Sequence, residues 1–201
     1  MGRVGKNMNN KRKSQPGYIY LKVYQFLMII FDLTNQFIKR FLPGPEHRRT
    51  RDQYYQAARS SKQCLVEGYT QEGLKGYIKL AGISHGSNEE LKEDYKDFLR
   101  QRNLPVWPKD HPKLGKVGWV SRACREIAEG KTPTIPPLPT DPTDPTNPTH
   151  SANLLLDLTT KAGFILEKLI TSLEEKHRTE GGLTEKLYWR RVEFRKSKEK
   201  P

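Results

Sequence analysis

Side chains that could bind a metal or act as acid and base are few in this chain, and they are widely spaced. Glu174 and His177 form one Glu-x-x-His pattern. Carboxylate-bridged di-iron sites in helical proteins need two such patterns, together with a glutamate from each of two other helices. The remaining histidines, none of which follows a glutamate at this spacing, are His47, His85, His111 and His150. We therefore predict a protein that is not an enzyme and that holds no metal and no cofactor.

Basic residues offer a different chemistry, because the chain has 36 Lys and Arg against 23 Asp and Glu, a net charge of +13. The excess lies at both ends: residues 1–17 hold five bases and no acid, and residues 181–201 hold seven bases and three acids. This distribution is typical of proteins that bind polyanions. A charge that only keeps the protein in solution is the alternative.

The segment 51–69 has the most regular pattern in the chain. Small and apolar residues recur in it at helical spacing, so we predict a helix that a second helix approaches closely. These residues are Tyr54, Ala58, Ser61 and Leu65. The next row is cationic with one aromatic residue, and consists of Arg51, Tyr55, Arg59 and Lys62. Gly68 suits the left-handed position that often follows the end of a helix.

The run Gln56-Ala57-Ala58-Arg59-Ser60, with Glu67-Gly68-Tyr69 after it, resembles the second helix of a family of four-helix-bundle proteins. Intervening sequences of bacterial 23S ribosomal RNA genes encode this family. Residues 23–41 and 84–99 are similar to its first and third helices, although His85 and Asn88 replace an Arg and a Leu. Residues 181–188 resemble the C-terminal extension of the four-helix-bundle suffix subgroup.

The resemblance implies an all-α fold, an antiparallel up-down four-helix bundle. Related bundles are accessory proteins of reverse transcriptases in diversity-generating retroelements, where they are basic homopentamers that bind nucleic acid. The resemblance therefore also implies a homo-oligomer, with five subunits favoured, and a reverse transcriptase or ribosomal RNA as possible partners.

Apolar periodicity and proline content predict the domain organisation. We expect a disordered basic arm over 1–17, a bundle over 18–180 and a basic suffix over 181–201, whose residues 183–196 form a short amphipathic helix. The four helices of the bundle are predicted at 18–42, 48–67, 74–102 and 151–178.

Two insertions are predicted between the third and fourth helices. Residues 104–131 form a cap that buries Val120, Cys124 and Ile127, or alternatively a platform whose Trp residues stack on single-stranded bases. Residues 132–150 form an extended linker without packed structure, because proline recurs at every third position of its Asp-Pro-Thr repeat.

The first helix carries two apolar stripes, and a helix needs only one to join a core. We therefore expect a second subunit to bury the second stripe. The first stripe is Ile19, Val23, Phe26, Ile30, Leu33, Phe37 and Phe41. The second is Leu21, Tyr24, Met28, Phe31, Ile38 and Leu42.

The third helix combines small residues with a dense acidic face. Gly82, Gly86 and Ser87 are expected to approach Ala57, Ala58 and Ser61 closely. The acids at 89–97 alternate with bases three or four residues away, which predicts an exposed ion-pair face; a metal site is the alternative. We expect His85 to be a hydrogen-bonded packing residue.

The two cysteines, Cys64 and Cys124, are predicted to be free thiols, which fits a reducing cytoplasm. No apolar run reaches the length of a membrane-spanning helix, so we expect a cytoplasmic protein without membrane contact.

We predict a non-enzymatic protein that binds the backbone of nucleic acid, RNA or DNA, without reading its sequence. The candidate contacts are Arg48, Arg49, Arg51, Arg59, Lys62, Lys11, Arg12, Lys13, Arg190, Arg191 and Arg195. Arg51 and Arg59 have a structural alternative, in which they pair with Glu67, Asp52 or the acidic face of the third helix. The rival function is a protein-interaction scaffold whose partner binds the first helix.

Overall fold

The computed structural model describes residues 15–114, 118–138 and 146–198, and every regular element in these ranges is helical. The predicted all-α class is thus confirmed for this part of the chain. The α-helices are α1 (Lys22–Phe41), α2 (Arg48–Tyr69), α3 (Leu74–Gln101), α4 (Gly118–Ala128), α5 (Thr146–Glu180) and α6 (Leu183–Lys198). Most of the predicted basic arm, including Lys11, Arg12 and Lys13, lies outside the described residues, as does the linker segment 139–145.

The start of the first helix differs from the prediction. A separate 3-10 turn covers Gly17–Tyr20, and Leu21 is extended, with φ −69° and ψ 121°, before α1 begins. The end of α1 agrees with the sequence, because Pro43 and Pro45 lack the N–H donors that a continuing helix needs. Gly44 has φ 89°, a conformation that favours glycine, and it turns the chain into α2.

Helices α1 and α3 each contact both α2 and α5, and α4 packs on α1. Aromatic rings fill the centre of this core. The ring of Phe37 lies 5.2 Å from that of Tyr95 and 4.8 Å from that of Phe98, measured between centroids. Tyr95 is fully buried, and its hydroxyl shares a hydrogen bond of 2.8 Å with the hydroxyl of Thr34. Its one polar atom is therefore satisfied within the core.

Helices α2 and α3 approach closely through small residues, as the sequence predicted. Ser61 and Ser84 are buried, and each hydroxyl donates to the other residue's carbonyl, at 2.9 and 2.6 Å. Ala57 and Ala58 are buried beside them. The contact works because short side chains let the backbones come near enough for these bonds.

Three predictions about glycines were wrong. Gly82 and Gly86 face open space, since a Cβ at either position would meet no atom within 4 Å. Gly68 does not end a helix but lies inside α2, where a Cβ would sit 2.8 Å from the ring of Tyr77 and 3.1 Å from the Cβ of Leu80. Gly68 thus allows close packing of α3 on α2, and no left-handed turn is needed there.

The second apolar stripe of α1 packs partly against its own chain. Ile38 and Leu42 are buried and the other four members are partly buried. Phe31, for example, lies 5.6 Å from the ring of Tyr55, and Tyr24 lies 4.9 Å from the ring of Tyr18. Contacts of α1 with α2, α4 and α5 account for this burial, and the second subunit expected on the partly buried residues stays a prediction.

The predicted cap is present in part as α4, which buries Val120, Cys124 and Ile127 as expected. The linker prediction was wrong at both of its described ends. Leu138 is buried, and its N–H donates to the side chain of Gln36 at 3.0 Å. Helix α5 begins at Thr146 and includes Pro148, because the first turn of a helix does not use its N–H groups.

Both cysteines are free thiols, and Cys124 is buried whereas Cys64 is only half-buried. Among the described residues, no helix is long and apolar enough to cross a membrane.

Candidate nucleic-acid interface

Arg48 and Arg49 occupy the first turn of α2 and are exposed. This turn contains no acidic residue. Cations at the amino end of a helix oppose the helix dipole, so a bound anion would relieve an unfavourable interaction there. Both side chains are accessible to a phosphate, and their contact with nucleic acid stays a prediction.

Arg51, another predicted contact, is engaged with the protein backbone. Its Nη1 donates to the carbonyl of Leu42 at 2.7 Å and to the carbonyl of Gly44 at 2.6 Å. The carbonyls at the end of a helix have no partner within that helix. Arg51 therefore caps α1 and fixes the turn into α2, a structural role different from the acidic pairings that the sequence had indicated.

Lys62 and Arg59 differ in how free they are to bind a ligand. Lys62 is half-buried, with its Nζ 4.2 Å from the ring centroid of Phe31. Burial lowers the pKa of Lys62, against the opposing effect of Asp32. Arg59 is exposed and makes no hydrogen bond or ion pair with the described residues. Arg59 remains the more accessible of the two.

The densest exposed positive charge lies on α6. Six of its sixteen residues are basic and two are acidic, and α6 has no buried residue. Arg190, Arg191 and Arg195, the predicted contacts, are all exposed. Tyr188, Trp189 and Phe194 each expose 61% of their surface.

The expected amphipathic face of α6 is absent. Leu187, Tyr188 and Trp189 are consecutive and each is more than half exposed. Consecutive residues on a helix point about 100° apart, so these three side chains lie on different sides of α6. Apolar and basic groups consequently alternate around the helix. Such interleaving is typical of surfaces that contact both phosphates and bases.

The predicted contacts that the structure describes do not form one patch: Arg48 and Arg49 lie at the amino end of α2, whereas α6 begins beside its carboxyl end. Leu183, the first residue of α6, lies 3.6 Å from where a Cβ of Gly73 would be, next to the carboxyl end of α2. Arg48 begins α2, and its 22 residues span roughly 30 Å. The described chain also starts at the α6 end, where the ring of Tyr18 lies 6.1 Å from that of Tyr69.

The acidic face of α3 is an ion-pair ladder, as predicted. Glu89 pairs with Lys92, Glu93 with Lys96 at 2.6 Å, and Asp97 with Arg100 at 2.8 Å. Each pair joins residues three apart on the exposed side of the helix. Each of these three bases is neutralised by the acid beside it, so none of them offers an unpaired positive charge to a polyanion.

Asp94 differs from the other acids of α3. One of its carboxylate oxygens is buried and has no hydrogen-bond partner among the described residues. Burial, followed by the charges of Glu90 and Asp97, raises the pKa of Asp94 to about 6. This carboxyl group therefore destabilises the folded protein when it is charged.

The residues with potential for catalysis are not brought together. The letters Gly-x-Ser-x-Gly occur at 82–86, but a nucleophile elbow needs a strand-to-helix turn that exposes its serine. Here Ser84 lies within α3, and it is buried and bonded to the carbonyl of Ser61. Among the described residues, no group of three His, Cys, Asp or Glu side chains is arranged to hold a metal ion.

His85 faces two carboxylates and not the hydrogen-bond partner that was expected. Its Nε2 lies 3.6 Å from Glu167 and 4.0 Å from Glu89, and has no hydrogen bond to a described residue. Trp107 is packed in the cap: its backbone N–H donates to Oδ1 of Asn153 at 2.7 Å, and its ring stacks on the ring of His111 with the centroids 4.0 Å apart. With one face of its ring occupied, Trp107 is poorly placed as a base-stacking platform.

No family model, no curated protein and no solved structure matches this chain. The family resemblance of its second helix and suffix therefore stays a prediction, and the physical features of the chain carry the functional argument.

Proposed function

We propose that this protein is an antiparallel up-down four-helix bundle that binds the backbone of nucleic acid without reading sequence, and that α6 supplies its main contacts. The bundle consists of α1, α2, α3 and α5. In this arrangement each helix would run antiparallel to its neighbours.

Contacts between α2 and α3 support the antiparallel order. The hydroxyl of Tyr54 donates to the carbonyl of Asp94 at 2.5 Å, near the start of α2 and the end of α3. At the other end, Tyr69 lies 6.0 Å from the ring of Tyr77. The Ser61–Ser84 hydrogen bonds lie between these contacts.

Helices α3 and α5 follow the same rule. The side chain of Asn88 donates to the carbonyl of Thr159 at 2.9 Å, and the earlier residue His85 lies 3.6 Å from the later Glu167. Antiparallel neighbours are expected where short loops join successive helices. The long connection between α3 and α5 contains the cap and the linker.

The binding proposal rests on one observation: α6 exposes six bases and three aromatic rings and buries none of its residues. Guanidinium groups neutralise phosphates and release condensed counterions, which favours binding to any sequence. Exposed rings add stacking on unpaired bases, which is also tolerant of sequence. Of these bases, Lys186 pairs with Glu180 at 3.3 Å, and the other five make no ion pair with the described residues.

The wider biological proposals follow from the family resemblance. They are an RNA or DNA ligand, a reverse transcriptase or ribosomal RNA as the associated component, and a cytoplasmic homo-oligomer, with a pentamer favoured. None of them rests on the apolar stripes of α1, much of which the chain itself buries.

A salt titration with a fluorescent duplex tests the proposal. We expect binding to weaken steeply as salt rises, by a slope of about −0.9 in log K against log salt for each phosphate contacted. Replacing Arg190, Arg191 and Arg195 together by Ala should flatten the slope by up to about 2.7, if each contacts one phosphate.

The matched control removes three other exposed bases, Lys96, Arg100 and Arg178. Each of these pairs with an acid in its own helix, at 2.6, 2.8 and 2.7 Å. The control changes the net charge equally, so an equal loss of binding would refute a specific role for α6. A wild-type protein that binds neither RNA nor DNA at low salt would refute nucleic-acid binding itself.

The second candidate function is a protein-interaction scaffold. Its binding surface would lie on α6 and not on α1. Leu187, Tyr188, Trp189 and Phe194 are each more than half exposed on one short helix. Rings of this kind are enriched at the centres of protein interfaces. If the wild-type protein binds neither RNA nor DNA at low salt, this candidate becomes the leading one.

A further inference from the structure

A cavity at the start of α1 contains no residue of α6. It has a volume of about 650 Å³ and lies between the start of α1, the loop after α3 and the first half of α5. Cavities of this size are typical of sites for small molecules. Its wall is mainly apolar, with side chains from Phe26, Trp107, Leu114, Leu156, Phe164 and Ile165.

The polar groups inside the cavity are already used. The amide nitrogen of Asn153 donates to the carbonyls of Pro105 and Thr149, and its oxygen accepts the N–H of Trp107. The hydroxyl of Thr160 donates to the carbonyl of Leu156 at 2.7 Å. A ligand with many polar edges, such as a nucleobase, would leave its own donors and acceptors unpaired in such a wall.

Four lysines also line the cavity, against a single acid, Asp157. Asp157 pairs with Lys161 at 2.6 Å, and Lys96 pairs with Glu93 at 2.6 Å outside the cavity. Lys109 makes no ion pair with the described residues, and Lys22 lies 5.5 Å from the ring centroid of Phe26. The cavity therefore combines an apolar interior with an excess of positive charge.

We propose that this cavity binds an anionic amphiphile, a molecule with one acyl chain and one carboxylate. The acyl chain would fill the apolar interior, where removal of apolar surface from water drives binding. The carboxylate would lie among the lysines, close to Lys109, whose charge is not already neutralised. This site does not depend on the proposed nucleic-acid binding and uses none of the same residues.

Calorimetric titration of the full-length chain with dodecanoate, below its micelle concentration, tests the proposal. We expect saturable binding with one ligand per chain, and much weaker binding of dodecanol and of dodecylammonium. Lys109→Glu replaces an attractive charge by a repulsive one and should weaken dodecanoate binding about fivefold. Lys79→Glu, an exposed lysine of α3 that does not line the cavity, is the matched control and should have no effect.

A second pair of variants tests the position of the site. Thr160→Trp should fill part of the cavity and abolish measurable binding. Thr171→Trp is its control, since Thr171 is exposed on the same helix and makes the same kind of hydrogen bond, to the carbonyl of Glu167 at 2.9 Å. Circular dichroism checks that each variant keeps its helix content.

Three results would overturn the proposal. Absence of saturable dodecanoate binding to the wild-type chain would show that the cavity is not a binding site for such a ligand. Equal affinities for dodecanol and dodecanoate would show that the site does not select an anion. Binding that survives Thr160→Trp and Lys109→Glu unchanged would place the ligand elsewhere.

Discussion

Alanine substitutions at three glycines would test the packing between α2 and α3. Gly82 and Gly86 are exposed within α3, and a Cβ there would meet nothing within 4 Å. Alanine is better than glycine in a helix by about 0.5–1 kcal/mol. The double variant should therefore be more stable by about 1–2 kcal/mol, which raises the midpoint of thermal unfolding by roughly 3–6 °C for a chain of this length.

Gly68→Ala has the same gain in helix propensity and a steric cost in addition. Its Cβ would lie 2.8 Å from a ring atom of Tyr77 and 3.1 Å from the Cβ of Leu80. Overpacking of this kind costs about 1–3 kcal/mol. The net effect of Gly68→Ala is a destabilisation of up to about 2 kcal/mol. This variant should therefore be less stable than the wild type, whereas the Gly82→Ala, Gly86→Ala variant should be more stable.

Thermal unfolding followed by circular dichroism compares these variants directly. If the unfolding midpoint of Gly68→Ala equals or exceeds that of the wild type, α2 and α3 are further apart than described. A lower midpoint for the Gly82→Ala, Gly86→Ala variant would mean that this open face of α3 is covered in solution, as a homo-oligomer would require.

Further substitutions have expected outcomes that unfolding experiments can check. Asp94→Asn should stabilise by about 1 kcal/mol at pH 7, because the raised pKa of Asp94 means that its stabilising proton is lost as pH rises through about 6. This gain in stability should vanish below pH 4, where the carboxyl group of Asp94 is protonated. An equal gain at pH 7 and below pH 4 would refute this reasoning. Arg51→Ala should cost about 1–2 kcal/mol in denaturant unfolding through loss of its bonds to the α1 carbonyls, and an unchanged midpoint would contradict this cap. Ala58→Leu should cost about 1–3 kcal/mol by overpacking a buried position, and a neutral result would place Ala58 at the surface.

Local sequence features predicted most of the helices and their phase. The apolar spacing in residues 22–41 and the prolines at 43 and 45 indicated α1 and its end. Small residues at 57, 58 and 61 indicated the face of α2 that α3 approaches. These predictions succeeded because helix periodicity and proline sterics act over a few residues. The start of α5 was missed because proline was taken as a sign of extended chain, although the first turn of a helix accepts it.

The candidate interface could be predicted only as a set of basic residues. Their composition on α2 and α6 was evident, but Arg51 is committed to backbone carbonyls and Lys62 is half-buried beside Phe31. The exposure of Trp189 was also not evident, since an amphipathic helix would have buried part of α6. Whether a side chain is exposed or already bound within the protein depends on which distant segments come into contact.

The sequence by itself determined the helical class, the excess of positive charge and the small-residue face of α2, because composition and local periodicity encode them. Tertiary structure alone decided that α1 packs much of its second apolar stripe against its own chain, that Gly68 allows close packing of α3 on α2, and that a lysine-lined cavity lies beside α5. The physical reason is that burial and cavity shape depend on segments far apart in sequence, whose relative positions no local pattern specifies.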